Sequence, residues 1–293
     1  MRSRIQSYDE PRIISMIGHK YLCAAFSAVL GADRESTDWS KATLIVLSFM
    51  MLALTPFAIA EPSRITLDVD ATDVSHSIEH AHLVLPVEPG PLTLAYPKWV
   101  PAEHAPNGPV TQLINLLFLA SGCEIGWRRD SLDAFSFHII FPTRIQTLTV
   151  DFDYLSLPET FGAGFGKSPN MTLSQLVLLF NQLVLYPSQQ AASRIAVDTT
   201  VKLPKGWSYD CALPLQLIAE DTIKIPTVSL STLGASLLIA GRNFRSIRLT
   251  DSPVTTRVSI AAGSASDLAI APGLIDRLRT LVAETAAVFG PGH

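Results

Sequence analysis

Strict alternation of apolar and polar residues is the feature that most constrains the fold of this 293-residue chain. Three segments show it clearly: ITLDVDA (65–71), QTLTVDFDYL (146–155) and RIAVDTTVKL (194–203). Successive side chains of a β-strand point to opposite faces, so each segment predicts a strand with one buried and one wet side. This pattern is typical of antiparallel sheets. We therefore expect a mainly β protein with an antiparallel, β-sandwich-like domain.

The composition fits such a domain and excludes one class of partner. Apolar residues make up 48% of the chain and charged residues only 16%, while 20 prolines and 16 glycines supply many turns. The formal net charge of −4 gives no electrostatic reason to expect binding to nucleic acid.

A C-terminal helix is predicted over residues 272–289. Proline is favoured in the first turn of a helix, as at Pro272, and glycine is favoured just after the end, as at Gly290. One face of this helix would carry Leu274, Leu278, Leu281, Val282, Thr285 and Phe289. Such an amphipathic helix needs a surface to pack against.

The run TLSQLVLLFNQLVLYP (172–187) leaves two structures open. It is almost continuously apolar, so it fits either two buried strand segments or one buried helix, and periodicity does not decide between them.

The apolar run at residues 42–60 predicts an export signal. It follows Lys41, carries no charge and ends in Ala58-Ile59-Ala60, which resembles a signal-peptidase cleavage site. The alternative is an uncleaved membrane anchor, since the run is about long enough to span a bilayer. We therefore expect an extracytoplasmic protein, periplasmic or secreted, that contacts a membrane only if residues 42–60 are retained.

Two cysteines, Cys123 and Cys211, would then lie in an oxidising compartment. They could pair, but two cysteines make no recognisable disulfide framework, so unpaired thiols are an equally good expectation.

The stretch HSIEHAH (76–82) matches the H-x-x-E-H pattern of one zinc-peptidase family. That pattern requires a helix, where positions i and i+4 lie one turn apart on the same face. The surrounding sequence predicts a strand, which separates His76 from His80 by about 13 Å and turns Glu79 to the opposite face. His80 and His82 would share a face, but no third ligand is predictable, so solvated strand histidines are the favoured interpretation.

Other catalytic motifs are missing from the sequence. GAGFGKS (162–168) has three residues where a phosphate-binding loop needs four, and Pro169 follows it in place of a helix. The sequence has neither a G-x-S-x-G elbow nor the H-E-x-x-H motif of common zinc peptidases. Asp151 and Asp153 share a polar strand face, where we expect them to be solubilising residues.

Two segments, 91–110 and 126–142, resemble the N-terminal domain of the glycyl-aminopeptidase-type zinc metallopeptidases. The residues that carry the resemblance are Tyr96, Pro97, Lys98, Trp99, Pro101, Glu103, His104, Trp127, Arg129, Asp130, Phe137 and His138. The similarity continues through LVLYP (183–187) and LPKGWSYDCALP (203–214) to the predicted helix.

The resemblance implies three regions: an N-terminal extension with the signal or anchor (1–60), a β-rich peptidase N-terminal domain (61–265) and the start of a catalytic domain (266–293). It implies that the domain packs beside a zinc-binding catalytic domain, whose ligands would lie beyond His293. We therefore expect no cofactor, no metal ligand and no catalytic residue in this chain. The family-motif residues whose role is open are Trp99, Glu103, His104, Trp127, Arg129 and Asp130. Glu103 and His104 could face a substrate cleft, although a loop that joins two strands is the favoured interpretation.

The leading hypothesis is thus a non-catalytic N-terminal domain of a metallo-aminopeptidase, truncated before its catalytic domain. The alternative is an interaction module that docks a separately encoded catalytic chain. A third hypothesis, an enzyme that uses the histidines of residues 76–82, is disfavoured because those residues lie in a predicted strand.

Overall fold

The period-two segments form strands in the computed structural model, which describes residues 63–100, 105–141, 145–157, 170–251 and 254–290. The strands, numbered along the chain, are β1 (Arg64–Asp73), β2 (Ile78–Pro86), β3 (Gly90–Ala95), β4 (Leu113–Ala120), β5 (Cys123–Glu124), β6 (Trp127–Arg129), β7 (Ser136–Phe141), β8 (Thr147–Leu155), β9 (Asn170–Met171), β10 (Gln175–Leu179), β11 (Tyr186–Pro187), β12 (Ala196–Lys202), β13 (Ser208–Cys211), β14 (Gln216–Ala219), β15 (Thr222–Ser229), β16 (Leu237–Gly241), β17 (Asn243–Thr250) and β18 (Thr256–Ala262). The α-helices are α1 (Leu230–Gly234) and α2 (Leu274–Phe289), and 3-10 turns occupy Val110–Gln112, Phe180–Gln182, Ala192–Arg194 and Ala265–Leu268.

The alternation predicted from the sequence is the alternation seen in the strands. In β1 the side chains of Ile65, Leu67 and Val69 are buried, while the polar residues between them stay partly exposed. β8 and β12 follow the same rule. Each fully buried aliphatic side chain contributes about 1.5–3 kcal/mol relative to an exposed one, so these strands supply much of the core.

The largest sheet of the described residues has eight strands in the order β14-β15-β12-β1-β2-β8-β4-β5. Two four-stranded sheets, β13-β16-β10-β9 and β11-β3-β7-β6, and a two-stranded ribbon of β17 and β18 complete the β structure. A mainly β fold with antiparallel sheets is thus confirmed. The exception among the described pairs is β1 with β12, which run parallel from Arg64↔Ala196 to Asp70↔Lys202. Period-two alternation looks the same in either direction, so the sequence does not reveal this pair.

The ambiguous run 172–187 forms two strand segments, β10 and β11, rather than a helix. The 3-10 turn Phe180–Gln182 lies between them, and all three of its residues are buried. The two polar residues of that turn, Asn181 and Gln182, therefore lie inside the fold.

The predicted C-terminal helix is confirmed as α2, although it begins at Leu274, after Gly273, and not at Pro272. It ends before Gly290, which has a φ of 91°. This left-handed conformation suits glycine because it lacks a Cβ. The helix lies against β17, yet none of its residues is fully buried. Its half-buried side carries Ile275, Leu278, Val282, Thr285 and Ala286. Leu274, Leu281 and Phe289, expected on the packed face, are exposed instead.

Some predictions fall outside the described residues. These are the apolar run 42–60, the loop GAGFGKS (162–168), and the motif residues Glu103 and His104. Within the part of the chain that the structure describes, no helix has the length and apolar character needed to cross a membrane. The predicted region boundaries at 60 and 265 stay predictions.

Candidate functional site

From Ile78 onward the histidine-rich stretch lies in β2, as the sequence predicts, but His76 lies in the turn between β1 and β2, where its Nδ1 is 2.7 Å from Asp73 Oδ1. The Nε2 of His80 is 3.9 Å from Asp73 Oδ2, so the two histidines approach one carboxylate and are not separated along a strand as predicted.

Glu79 and His80 belong to β2, and the Glu79 side chain is fully buried on the inner face. His80 and His82 lie on the outer face, where the Nδ1 of His80 is 2.6 Å from Asp153 Oδ1. The Nδ1 of His82 is 2.5 Å from Asp151 Oδ1. The two aspartates, expected to be merely solubilising, thus pair with the histidines across β2 and β8.

A β-bulge in β4 adds a third strand to this polar face. The register of β4 against β8 shifts between Ile114 and Leu117, and Asn115 lies there with φ of 54°. Asparagine tolerates this left-handed conformation better than most residues. Its Nδ2 donates to Asp153 Oδ2 at 2.7 Å. The polar face borders a shallow depression of about 530 Å³.

This face does not fit a catalytic zinc ion. Zinc sites use at least three protein ligands that converge on one point. Among the described residues no cluster of three or more His, Cys, Asp or Glu side chains could hold a metal ion. His80 and His82 supply two imidazoles, and each uses Nδ1 to contact an aspartate.

Trp127 and Arg129, the first two residues of the tryptophan-arginine-aspartate motif, lie on β6 and pack against neighbouring aromatic rings. The ring centroid of Trp127 lies 5.7 Å from that of Phe118 and 5.6 Å from that of Phe137. The guanidinium of Arg129 lies 5.1 Å from the centroid of the Phe137 ring. Such aromatic and cation–π contacts each add about 0.5–1.5 kcal/mol. Trp127 and Arg129 therefore act through packing.

Asp130, the third residue of this motif, closes a turn. Its Oδ1 accepts from the backbone N–H groups of Leu132 at 2.8 Å and Asp133 at 2.9 Å. The Oδ2 of Asp130 is 2.8 Å from His138 Nε2, and that contact does most to lower the pKa of Asp130 to about 2. The Nδ1 of His138 is 2.9 Å from Thr93 Oγ1.

Thr93, His138 and Asp130 thus have the hydroxyl–imidazole–carboxylate order of a catalytic triad. Catalysis also requires a pocket for the substrate and donors for a developing oxyanion. Neither the depression beside β2 nor the groove described next is lined by any of the three. We therefore assign them a structural role that joins β3 to β7.

A groove of about 400 Å³ lies where the segment Tyr96–Trp99 leaves β3. Trp99 lines it with 64% of its surface exposed. Lys98 Nζ contacts Asp133 Oδ1 at 2.8 Å and lies 5.2 Å from the centroid of the Phe135 ring. The backbone N–H of Tyr96 donates to Phe135 O at 2.8 Å. The two motif segments, distant in sequence, are therefore joined at this groove.

The groove also contains a residue that the sequence analysis did not single out. Asn181, in the 3-10 turn, lines the groove, is only 7% exposed, and its Oδ1 accepts no hydrogen bond. The sequence does contain a sign that this position is special, because the polar pair Asn181-Gln182 interrupts the apolar run LVLLFNQLVL (176–185).

Comparison with solved structures finds a related fold in a protein of the aminopeptidase N family. An aminopeptidase N family protein from Idiomarina loihiensis has a TM-score of 0.62 and 11% identity, over 77% of this chain and 36% of that protein. A mutant M1 zinc metallopeptidase from Deinococcus radiodurans, bound to a Tyr-Ser-Ala substrate, has a TM-score of 0.42 and 13% identity, over 79% of this chain and 54% of that one. The chain spans about a third of the first protein and half of the second.

Comparison at the level of sequence gives a family but no individual relative. No curated protein sequence matches the chain at a significant level. The family model described as Peptidase M61 N-terminal domain matches residues 66–230, which is more than half of the 293 residues. The resemblance to an N-terminal domain of an aminopeptidase-like metallopeptidase is thereby confirmed. The chain belongs to the Peptidase M61 N-terminal domain family.

Proposed function

We propose that this chain is a non-catalytic N-terminal module that packs beside the catalytic domain of a metallo-aminopeptidase. The observation that carries the proposal is the family match over residues 66–230. The fold likeness to the Idiomarina loihiensis protein supports it at the level of architecture. Because the chain corresponds to 36% of that protein, we place catalysis in a part that the described residues do not supply.

Zinc, in this proposal, belongs to the catalytic domain and not to this module. The two exposed imidazoles of β2 are each held by an aspartate, and no third ligand converges on them within the described residues. The module would instead contribute shape and surface beside the catalytic centre.

Activity and metal content of the purified chain test the proposal together. We expect no release of glycine or alanine from aminoacyl-4-nitroanilides, with or without added zinc, because the described residues offer no zinc site. The zinc content after dialysis should be the same in the wild type and in the double variant His80→Ala/His82→Ala. Zinc-dependent turnover by the chain, or zinc lost with those two histidines, would overturn this assignment.

A second candidate function is docking of a separately encoded catalytic chain through α2. The observation that favours it is the apolar outer side of that helix, where Leu281 is 59% and Val288 is 73% exposed. Leu281 and Val288 are seven residues apart and therefore lie on the same side of the helix, where they would form the apolar part of an interaction site.

The location of the module is part of the same proposal. The uncharged run 42–60 and its Ala58-Ile59-Ala60 end support export, with cleavage before Glu61. We expect the mature protein in the extracytoplasmic fraction with Glu61 as its first residue, which N-terminal sequencing measures. Recovery in the membrane with residues 42–60 intact would establish the anchor alternative instead.

A further inference from the structure

Asn107 and Gly108 form the one asparagine-glycine pair of the chain. Such a pair loses the side-chain amide more readily than other asparagine pairs, because glycine leaves its backbone nitrogen free to reach the asparagine Cγ. The other asparagines precede larger residues, which hinder this approach; they are Asn115, Asn170, Asn181 and Asn243, followed by leucine, methionine, glutamine and phenylalanine.

The fold requires glycine at position 108. A Cβ added to Gly108 would lie 2.0 Å from Pro97 O and 3.2 Å from Lys98 Cα, far inside van der Waals contact. The segment Tyr96–Trp99, which leaves β3, passes this close only because Gly108 has no side chain. The residue that makes Asn107 reactive is therefore also the residue that lets these two segments meet.

The same contact protects Asn107 in the folded chain. The backbone N–H of Gly108 donates to Lys98 O at 2.9 Å, and Gly108 O accepts from the N–H of Val110 at 2.8 Å. Gly108 is buried, while Asn107 beside it is exposed. A backbone nitrogen attacks only after it has lost its proton, and a buried, hydrogen-bonded N–H loses its proton only when the structure opens locally.

We propose that Asn107 is a deamidation site whose rate is set by the opening of the hydrogen bond between Gly108 N and Lys98 O. The deprotonated nitrogen of Gly108 attacks Cγ of Asn107, the new N–Cγ bond closes a succinimide ring, and the side-chain nitrogen leaves as ammonia. Water then cleaves the N–Cγ bond, which gives aspartate, or the bond from Gly108 N to the Asn107 backbone carbonyl carbon, which gives isoaspartate. No oxidant, reductant or cofactor takes part.

Both products change the surface beside the groove. Each carries a carboxylate where Asn107 has a neutral amide, and isoaspartate also routes the backbone through an additional carbon atom. The longer backbone displaces Gly108 N from Lys98 O, so the segment Tyr96–Trp99 loses this tether. Ammonia is lost for good, so the reaction marks aged molecules by a loosened groove wall.

The folded chain and a short reference peptide measure the protection together. The peptide is acetyl-Ala-Pro-Asn-Gly-Pro-Val-amide, which has the sequence of residues 105–110. Peptide mapping follows deamidation of Asn107 in both samples in the same neutral buffer, and hydrogen exchange of the Gly108 amide gives the fraction of open molecules. We expect the full chain to react at least about fivefold more slowly than the peptide, the factor that one net backbone hydrogen bond provides. The exact factor should equal the protection of Gly108 in hydrogen exchange.

Two glycine-to-alanine variants separate the contact from the intrinsic chemistry. Gly108→Ala slows the reaction in chain and peptide alike, but in the chain the added Cβ also collides with Pro97 O. The ratio of the peptide rate to the chain rate should therefore fall toward one. Gly126→Ala, a matched change whose Cβ has nothing within 4 Å, should leave the ratio for Asn107 at its wild-type value.

The wild-type comparison does not depend on whether Gly108→Ala folds, which circular dichroism shows. Deamidation of Asn107 in the folded wild type at the rate of the peptide would overturn the proposal. So would a chain rate that does not follow the protection of Gly108, or a faster loss of the amide from any of the other four asparagines. The inference is independent of the proposed function, because the reaction is measured on this chain alone.

Discussion

Glu79 is a carboxylic acid that the described fold buries completely. It lies directly opposite Tyr154 on the inner face of the large sheet, and neither of its carboxyl oxygens accepts a hydrogen bond. Burial raises the pKa of Glu79 to about 8. Burial also raises the pKa of Tyr154 and of Tyr96, with the charge of Glu79 adding to the effect at both.

This carboxyl group should make stability fall as the pH rises. In the unfolded chain Glu79 ionises near its usual pKa of 4.5, whereas in the folded protein it keeps its proton up to about 8. Between these two values the folded state binds one proton more than the unfolded state. The free energy of unfolding therefore declines by up to about 1.4 kcal/mol per pH unit across that window.

The variant Glu79→Gln tests this directly by urea unfolding at pH 5, 7 and 9. We expect the wild type to lose stability relative to Glu79→Gln by a few kcal/mol between pH 5 and pH 9, since the amide cannot ionise. Glu88→Gln, a matched change at an exposed glutamate, should run parallel to the wild type. A constant difference between wild type and Glu79→Gln at all three pH values would contradict the assignment.

At the scale of single elements, β2 illustrates which structural features the sequence predicts and which it does not. The strand geometry, the burial of Glu79 on the opposite face and the shared face of His80 and His82 all follow from a period of two. The contacts of the histidines with Asp153 and Asp151 do not follow, because they depend on the register of β2 against β8. Register is set by packing and turns that lie outside the two segments.

Helix α2 has two sides with different roles, and the variants Leu278→Gln and Leu281→Gln separate them. Leu278 is half-buried on the side that faces the domain, whereas Leu281 is 59% exposed. Leu278→Gln should lower the free energy of unfolding by about 1–2 kcal/mol, because it loses apolar burial. Leu281→Gln should leave stability within about 0.5 kcal/mol of the wild type.

Self-association of the protein provides a second test of the exposed side of α2. Leu281→Gln, combined with Val288→Gln, should reduce self-association in analytical ultracentrifugation, because it removes the exposed apolar surface. It should also remove any metallopeptidase chain that co-purifies with the wild type. Unchanged association together with a loss of stability would show that the outer side packs within the domain.

At the scale of the whole molecule, the class of fold could be predicted and the groove could not. Alternation specifies which residues of β1 and β8 are buried, and Gly290 specifies where α2 ends, whereas Pro272 lies two residues before the helix begins. The groove brings Trp99, Asp133 and Asn181 together from three separate segments. Each segment carries only a local pattern, and the contacts between them depend on how the small sheets pack.

The parallel pairing of β1 with β12 has a consequence for how the chain reaches its native state. The two strands join residues 132 positions apart, in the middle of the eight-stranded sheet. Contacts between such distant residues form late, because a long loop must first close. During synthesis or export, β1 therefore has one unpaired edge until residues 196–202 have emerged. An unpaired strand edge is a site where wrong pairing and aggregation begin, so this interval is when the chain is most open to misassembly.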